Sequence, residues 1–211
     1  METNKEMTAE ESLSLITETL NSNRKEITRR SGKYYILWGI LLTIFSLIVY
    51  FLWKLTDQPA WNCLWFAMPI IGWIAARLLR RNGSSDVVQN DVSRITGGIW
   101  ATFGIFSCAV AAFTLIFAHF NDGSNGLGNA ISALVALGSL TAEIVIIFGL
   151  AESACGVALK NWVMKIAGFS TGIGGLAIYY ITGAGAEQML IFTFAGLVLV
   201  ATGLIVKHQY K

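Results

Sequence analysis

Charge is scarce in this chain. Lys, Arg, Asp and Glu make up 13% of its 211 residues, roughly half the share usual in a soluble domain. Hydrophobic residues make up 55% and the mean hydropathy is +0.60. A soluble core of this size cannot hide so much apolar surface, because its ratio of surface to volume is too high. Soluble enzymes and disordered chains are thereby excluded, and the lipid bilayer is the expected solvent. The net charge of +2 comes without a basic block, which excludes direct nucleic-acid binding. Cysteine is limited to Cys63, Cys108 and Cys155. The count is odd, no C-x-x-C occurs, and all three sit in or beside apolar stretches. They read as small buried hydrophobes rather than a disulfide framework or a thiolate metal site. The only histidines, His119 and His208, lie far apart. No metal or cofactor is therefore expected. The polar, acidic N-terminus lacks the short apolar core of a signal peptide. No nucleophile–base pair, H-E-x-x-H, P-loop or paired intramembrane aspartate appears, so the chain does not read as an enzyme.

What is present is a series of long apolar runs. About 20 residues of helix cross a hydrocarbon core of about 30 Å. Six runs meet that length, at 34–53, 58–76, 95–118, 126–151, 166–186 and 188–206. They are continuous rather than alternating, which argues for helices over barrel strands. The expected fold is all-α, a six-span membrane bundle. Of the 15 lysines and arginines, all but Lys54 fall in segments on one side of such a bundle. The positive-inside rule makes that side cytoplasmic and places both termini there. Short outer turns suggest three helical hairpins, each with a glycine four or five residues before a basic residue: Gly72 and Arg77, Gly156 and Lys160, Gly203 and Lys207.

Residues 1–33 differ in kind, being rich in both signs of charge. Thr8 and Glu11 fit a capping box. Leu13, Ile16, Leu20 and Ile27 follow at heptad spacing. The segment reads as an amphipathic cytoplasmic helix, either lying on the inner mouth or lipid interface or docking a cytosolic partner or second subunit.

Three stretches carry a resemblance. They are Trp65-Phe66-Ala67-Met68-Pro69-Ile70-Ile71-Gly72-Trp73, Asp91-Val92-Ser93-Arg94 with Ile99-Trp100, and Phe148-Gly149-Leu150 through Cys155-Gly156 to Gly168. With Glu11-Ser12-Leu13-Ser14-Leu15-Ile16 they resemble an uncharacterised family of small six-span bacterial inner-membrane proteins. Members of that family tend to be encoded beside small winged-helix or similar transcriptional regulators. The resemblance implies an inner-membrane location, multi-pass with both ends inside, and a cytosolic regulator as partner. It supplies no catalytic residue. The chain departs from the family pattern at Glu143 and in having no proline in its last span.

Within the spans, Glu143 is the residue expected to matter most. A carboxylate near the middle of a span costs a few kcal/mol, so it is expected to face the interior and find a partner. Ser132, Ala136, Ser139 and Glu143 share one helical face suited to close packing. Ser170 and Thr171 lie at similar depth on span five, and Thr102 on span three is a further candidate. The role of Glu143 is then either hydrogen-bonded structural glue or a coupling or selectivity residue in a small oligomeric transporter or channel. Glu152 lies nine residues on, at the opposite face, and is expected near the inner interface beside Lys160 or Lys165. Gly168, Gly172 and Gly175 provide a smooth helix-packing face, and Pro69 is expected to kink span two. Two function classes remain: a non-enzymatic scaffold or sensor engaging a cytoplasmic partner through Leu13, Ile16, Leu20 and Ile27, or a homo-oligomeric transporter using Glu143.

Overall fold

The computed structural model describes residues 8–81, 91–120, 126–182 and 185–209, the side chains of 80–81, 91–93, 111, 113–120 and 126–139 excepted. These residues are helical almost throughout and include no strand. In order they form α1 (Ala9–Thr56), a 3-10 segment (Pro59–Phe66), α2 (Ala67–Arg81), α3 (Asp91–Phe120) and α4 (Gly126–Ala158). Then follow α5 (Trp162–Phe169), a π turn (Ser170–Gly174), α6 (Gly175–Thr182), a short 3-10 turn (Ala186–Gln188) and α7 (Met189–Gln209). Among the described residues, four helical segments are long and apolar enough to cross a membrane: Ala9–Thr56, Pro59–Leu79, Leu140–Ala158 and Ala186–Gln209.

The expected separate N-terminal helix is not separate. It runs unbroken into the first apolar run as α1, 48 residues long, or about 70 Å, more than twice the hydrocarbon thickness. The capping box forms as the sequence implies: Thr8 Oγ1 accepts from Glu11 N–H at 3.2 Å and Glu11 Oε2 accepts from Thr8 N–H at 2.9 Å. Downstream, nothing between residues 9 and 56 breaks a helix, since the stretch contains no proline and its one buried stripe needs helical geometry.

That stripe is Thr28, Gly32, Tyr35, Gly39, Leu42, Ser46 and Val49, spaced alternately four and three residues apart as in a coiled-coil seam. It packs antiparallel on α7, and this is the most extensive helix pair of the fold. Gly32 lies on Gly203 and Gly39 on Gly196. A Cβ placed on Gly39 would stand 2.7 Å from Gly196 O, and one on Gly203 2.6 Å from Gly32 O. Only glycine permits that backbone contact. Farther along, the Ser46 and Thr193 hydroxyls hydrogen-bond at 2.8 Å, and an ion pair of Lys54 with Glu187 ties the far ends together. The hairpin expectation is corrected accordingly: the main partner of α1 is α7, not α2.

Pro69 lies at the middle of the Pro59–Leu79 segment, close to where the helix changes its winding. It is the third residue of α2, and the 3-10 segment Pro59–Phe66 precedes it. Proline at 69 cannot donate to the carbonyl of Trp65, so the α ladder cannot extend backwards through it. The preceding residues wind more tightly instead.

Candidate functional site

A buried core joins three helices and the turn after α4: Tyr35 and Leu42 from α1, Leu159 from the turn, Met164 from α5, and Ala195, Leu199 and Val206 from α7. The α4–α5 connection that closes it is a tight turn. Lys160 takes a left-handed conformation, with φ of 52°, and the Asn161 side chain accepts from Met164 N–H at 3.0 Å to cap α5. The turn folds α5 back onto α4. Glycines then set the spacing: a Cβ on Gly149 would lie 2.5 Å from Gly172 Cα and 2.6 Å from Gly168 O. Gly168 itself packs on Ser153 and Gly149, and a Cβ on Gly175 would meet Val145 at 2.6 Å. Gly172, Gly168 and Gly175 thus line one packed face against α4.

This close approach brings a short side chain to a carboxylate. Thr171, wholly buried in the π turn, donates its hydroxyl to Glu152 Oε2 at 3.1 Å. Glu152 has 0% of its surface exposed. Its other oxygen, Oε1, has no hydrogen-bond partner, and neither does the hydroxyl of Tyr35, which is 6% exposed. Tyr35 belongs to the buried cluster of Leu159 and Met164, and Cys155, three residues along α4 from Glu152, is buried on the same face. An aromatic group from α3 and α4 adjoins Tyr35: Trp100 stands edge-on to it at 6.3 Å and meets Phe148 at 5.6 Å. The π turn adds one residue to the local winding, a feature that clusters at functional sites. Its sequence, Ser-Thr-Gly-Ile-Gly, is weak in helix propensity and yields readily to such a turn.

The sequence reading placed Glu143 and Glu152 on opposite faces of one helix, and they are on opposite faces. The assignment of the faces is reversed. Glu143 is exposed and Glu152 is buried. Glu143 shares its face with Ile146, Leu150 and Val157, all exposed large aliphatics, which is the face α4 turns away from the bundle. Glu152 is flanked at −3 and +4 by Gly149 and Gly156, which is the face that packs. That glycine spacing was the available signal. The proposed pairing of Glu152 with Lys160 or Lys165 does not form. Lys160 is exposed, and the ammonium of Lys165 sits 4.4 Å from the ring centroid of Trp162.

No protein family model, curated protein or solved structure matches this chain. The site is therefore read from its own geometry.

Of the other residues singled out in the sequence, Ser170 is half-buried beside Thr171, Thr102 is exposed, and Ser139 lies outside the described side chains. Leu13, Ile16 and Leu20 are exposed, at 66, 56 and 49%. Ile27 is partly buried and packs against the core.

Proposed function

We propose that this chain is a non-enzymatic, multi-pass bacterial inner-membrane protein of scaffold or sensor type, and that the free part of α1 docks a cytosolic partner. The observation that carries this reading is the length of α1. Its buried seam begins at Thr28 and Ile27 packs against the core, so residues 9–23 extend past the bundle as a helix carrying exposed Leu13, Leu15, Ile16 and Leu20. An amphipathic helix with an uncovered apolar stripe is a recurring mode of partner recognition. The rigid continuity of α1 into the bundle gives such a docking event a mechanical route to the membrane-embedded helices.

The six-span arrangement with both termini cytoplasmic belongs to this proposal. It draws support from the charge distribution and from the antiparallel α1–α7 pair, which sets residues 28–33 beside 203–207 at one end of the bundle. The resemblance noted above suggests a small transcriptional regulator as the partner. The test is in vivo cross-linking of the full-length protein, comparing wild type with Leu13→Asp/Leu20→Asp. A cytosolic protein that cross-links to wild type and is lost from the variant supports docking. The same partners at the same yield overturn it.

A second reading is favoured by Glu143. A carboxylate on the outward face of a spanning helix costs a few kcal/mol if it meets lipid, and a neighbouring copy of the chain would remove it from lipid. A homo-oligomer in which Glu143 lines a shared path is the transporter or channel version of this protein.

A further inference from the structure

We propose that Glu152, Thr171 and Tyr35 form an intramembrane binding site for a small monovalent cation, a proton or a sodium ion. The inference is independent of the docking reading, since it concerns the opposite end of the chain's logic: the interior of the bundle rather than its projecting helix.

The constellation encloses a carboxyl group with one hydrogen-bond donor and, among the described residues, no cation beside it. Glu152 is fully enclosed, and its one hydrogen bond is to a hydroxyl. Its free oxygen and the free phenol oxygen of Tyr35 are two buried polar atoms with no protein partner. Natural structures rarely leave buried polar atoms unpaired, and each such case needs an explanation. A buried carboxylate is also paired with a cation or neutralised in nearly every fold, because an isolated buried charge is costly.

Among the described residues the surrounding elements offer no resident cation. None of the ion pairs among the described residues includes Glu152. From α1 the titratable group buried in the same interior is Tyr35; from α4 itself it is Cys155, three residues on and 1% exposed; on α6 Tyr179 is half-buried and Tyr180 exposed. From α5 the nearest base is Lys165, drawn off over Trp162. The buried residues of α7 are Met189, Ile191, Ala195, Gly196, Leu199, Thr202, Gly203 and Val206, none of which titrates. On α3 the described titratable side chains, Arg94 and Cys108, are exposed. No described residue supplies the balancing charge, and a cation from outside the chain would. The ligand must be small, because the close packing of Gly149, Gly168 and Gly172 leaves Glu152 no exposed surface. Glu152 and Thr171 offer oxygen, with the Tyr35 phenol in the same interior and the Cys155 thiol beside them, which suits a proton on Glu152 Oε1 or a sodium ion held by oxygen atoms. The weakly propped π turn that carries Thr171 is the element free to adjust when the occupant changes.

The test is infrared difference spectroscopy on the full-length protein in lipid nanodiscs, stepped in pH at fixed sodium and in sodium at fixed pH, with choline as the control ion. The expected result is a carboxylic-acid band that bleaches in wild type and is lost in Glu152→Gln, which keeps side-chain shape and an acceptor for Thr171. Bleaching by pH alone identifies the proton; bleaching by sodium and not choline at constant pH identifies sodium. Thr171→Val and Tyr35→Phe retain the carboxyl, so they keep the test available if Glu152→Gln fails to fold. Each should displace the midpoint of the response by about one pH unit, or about tenfold in sodium. Difference spectra of wild type and Glu152→Gln that superimpose in both titrations overturn the proposal. Midpoints unmoved in both Thr171→Val and Tyr35→Phe do the same.

Discussion

At the scale of single residues, Thr171 and Glu152 depend on each other through one hydrogen bond. Thr171→Val keeps the shape of the side chain and removes the donor, which leaves both carboxyl oxygens unpaired. Side-chain hydrogen bonds inside membranes are worth about 1 kcal/mol, and stranding a buried acceptor adds to that. Thermal unfolding in detergent should therefore show a loss of about 1–3 kcal/mol for Thr171→Val. Thr171→Ser, which keeps the hydroxyl, should recover most of it. An unchanged unfolding midpoint in Thr171→Val would mean the bond does not hold the π turn. Little of this pairing is legible in the sequence, where depth alone sets Thr171 with Glu143 and Glu152 with Lys160 or Lys165. Thr171 stands out as a polar residue in a glycine-rich run, and the half-turn between the two carboxylates follows from their spacing. The inward face of α4 follows the small residues flanking Glu152 and not the depth of Glu143 in the bilayer. A helix cannot bury a stripe of isoleucine and leucine and a stripe of glycine equally. In a membrane, glycine wins the protein interface because lipid is as good a solvent for leucine as another helix is.

At the scale of elements, the same rule governs α1 and α7. Gly39→Leu or Gly196→Leu would push a side chain into the opposing backbone, and overpacking of this kind costs about 1–3 kcal/mol. The matched control lies on α3, where a Cβ on Gly97, Gly98 or Gly104 meets nothing within 4 Å. Gly104→Leu should leave the unfolding midpoint of the monomer within about 0.5 kcal/mol of wild type. A Gly104→Leu variant as damaged as Gly39→Leu would show that a second copy covers α3 in the membrane. The helical segments themselves were legible, since length, apolarity and the Thr8 cap are local properties. The choice of partner was not. Short turns favour neighbours in sequence, whereas α1 and α7 find each other through glycines that match only when the two helices are laid antiparallel.

At the scale of the whole molecule, the orientation of the bundle is open to direct measurement. In a background without native cysteines, cysteine at Asp57 should react with a membrane-impermeant maleimide on intact cells. Cysteine at Lys160 should react only after the cells are opened. Labelling of both from outside would contradict an inward-facing α4–α5 turn and the cytoplasmic placement of α1. Count and orientation of spans were read from apolar length and basic residues, which are sums over the chain. The closing of the bundle by α1 and α7 is a relation between distant residues and leaves no such additive trace.

That closure has a consequence in time. About 130 residues separate the end of α1 from the start of α7, and synthesis proceeds at about 5–20 residues per second. For on the order of ten seconds, each new chain holds in the bilayer an α1 groove whose mate has yet to be made. A neighbouring chain whose α7 has emerged but not yet closed on its own α1 carries that mate. Crowded translation would thus favour intertwined pairs in which each chain lends its α7 to the other, the membrane counterpart of domain swapping.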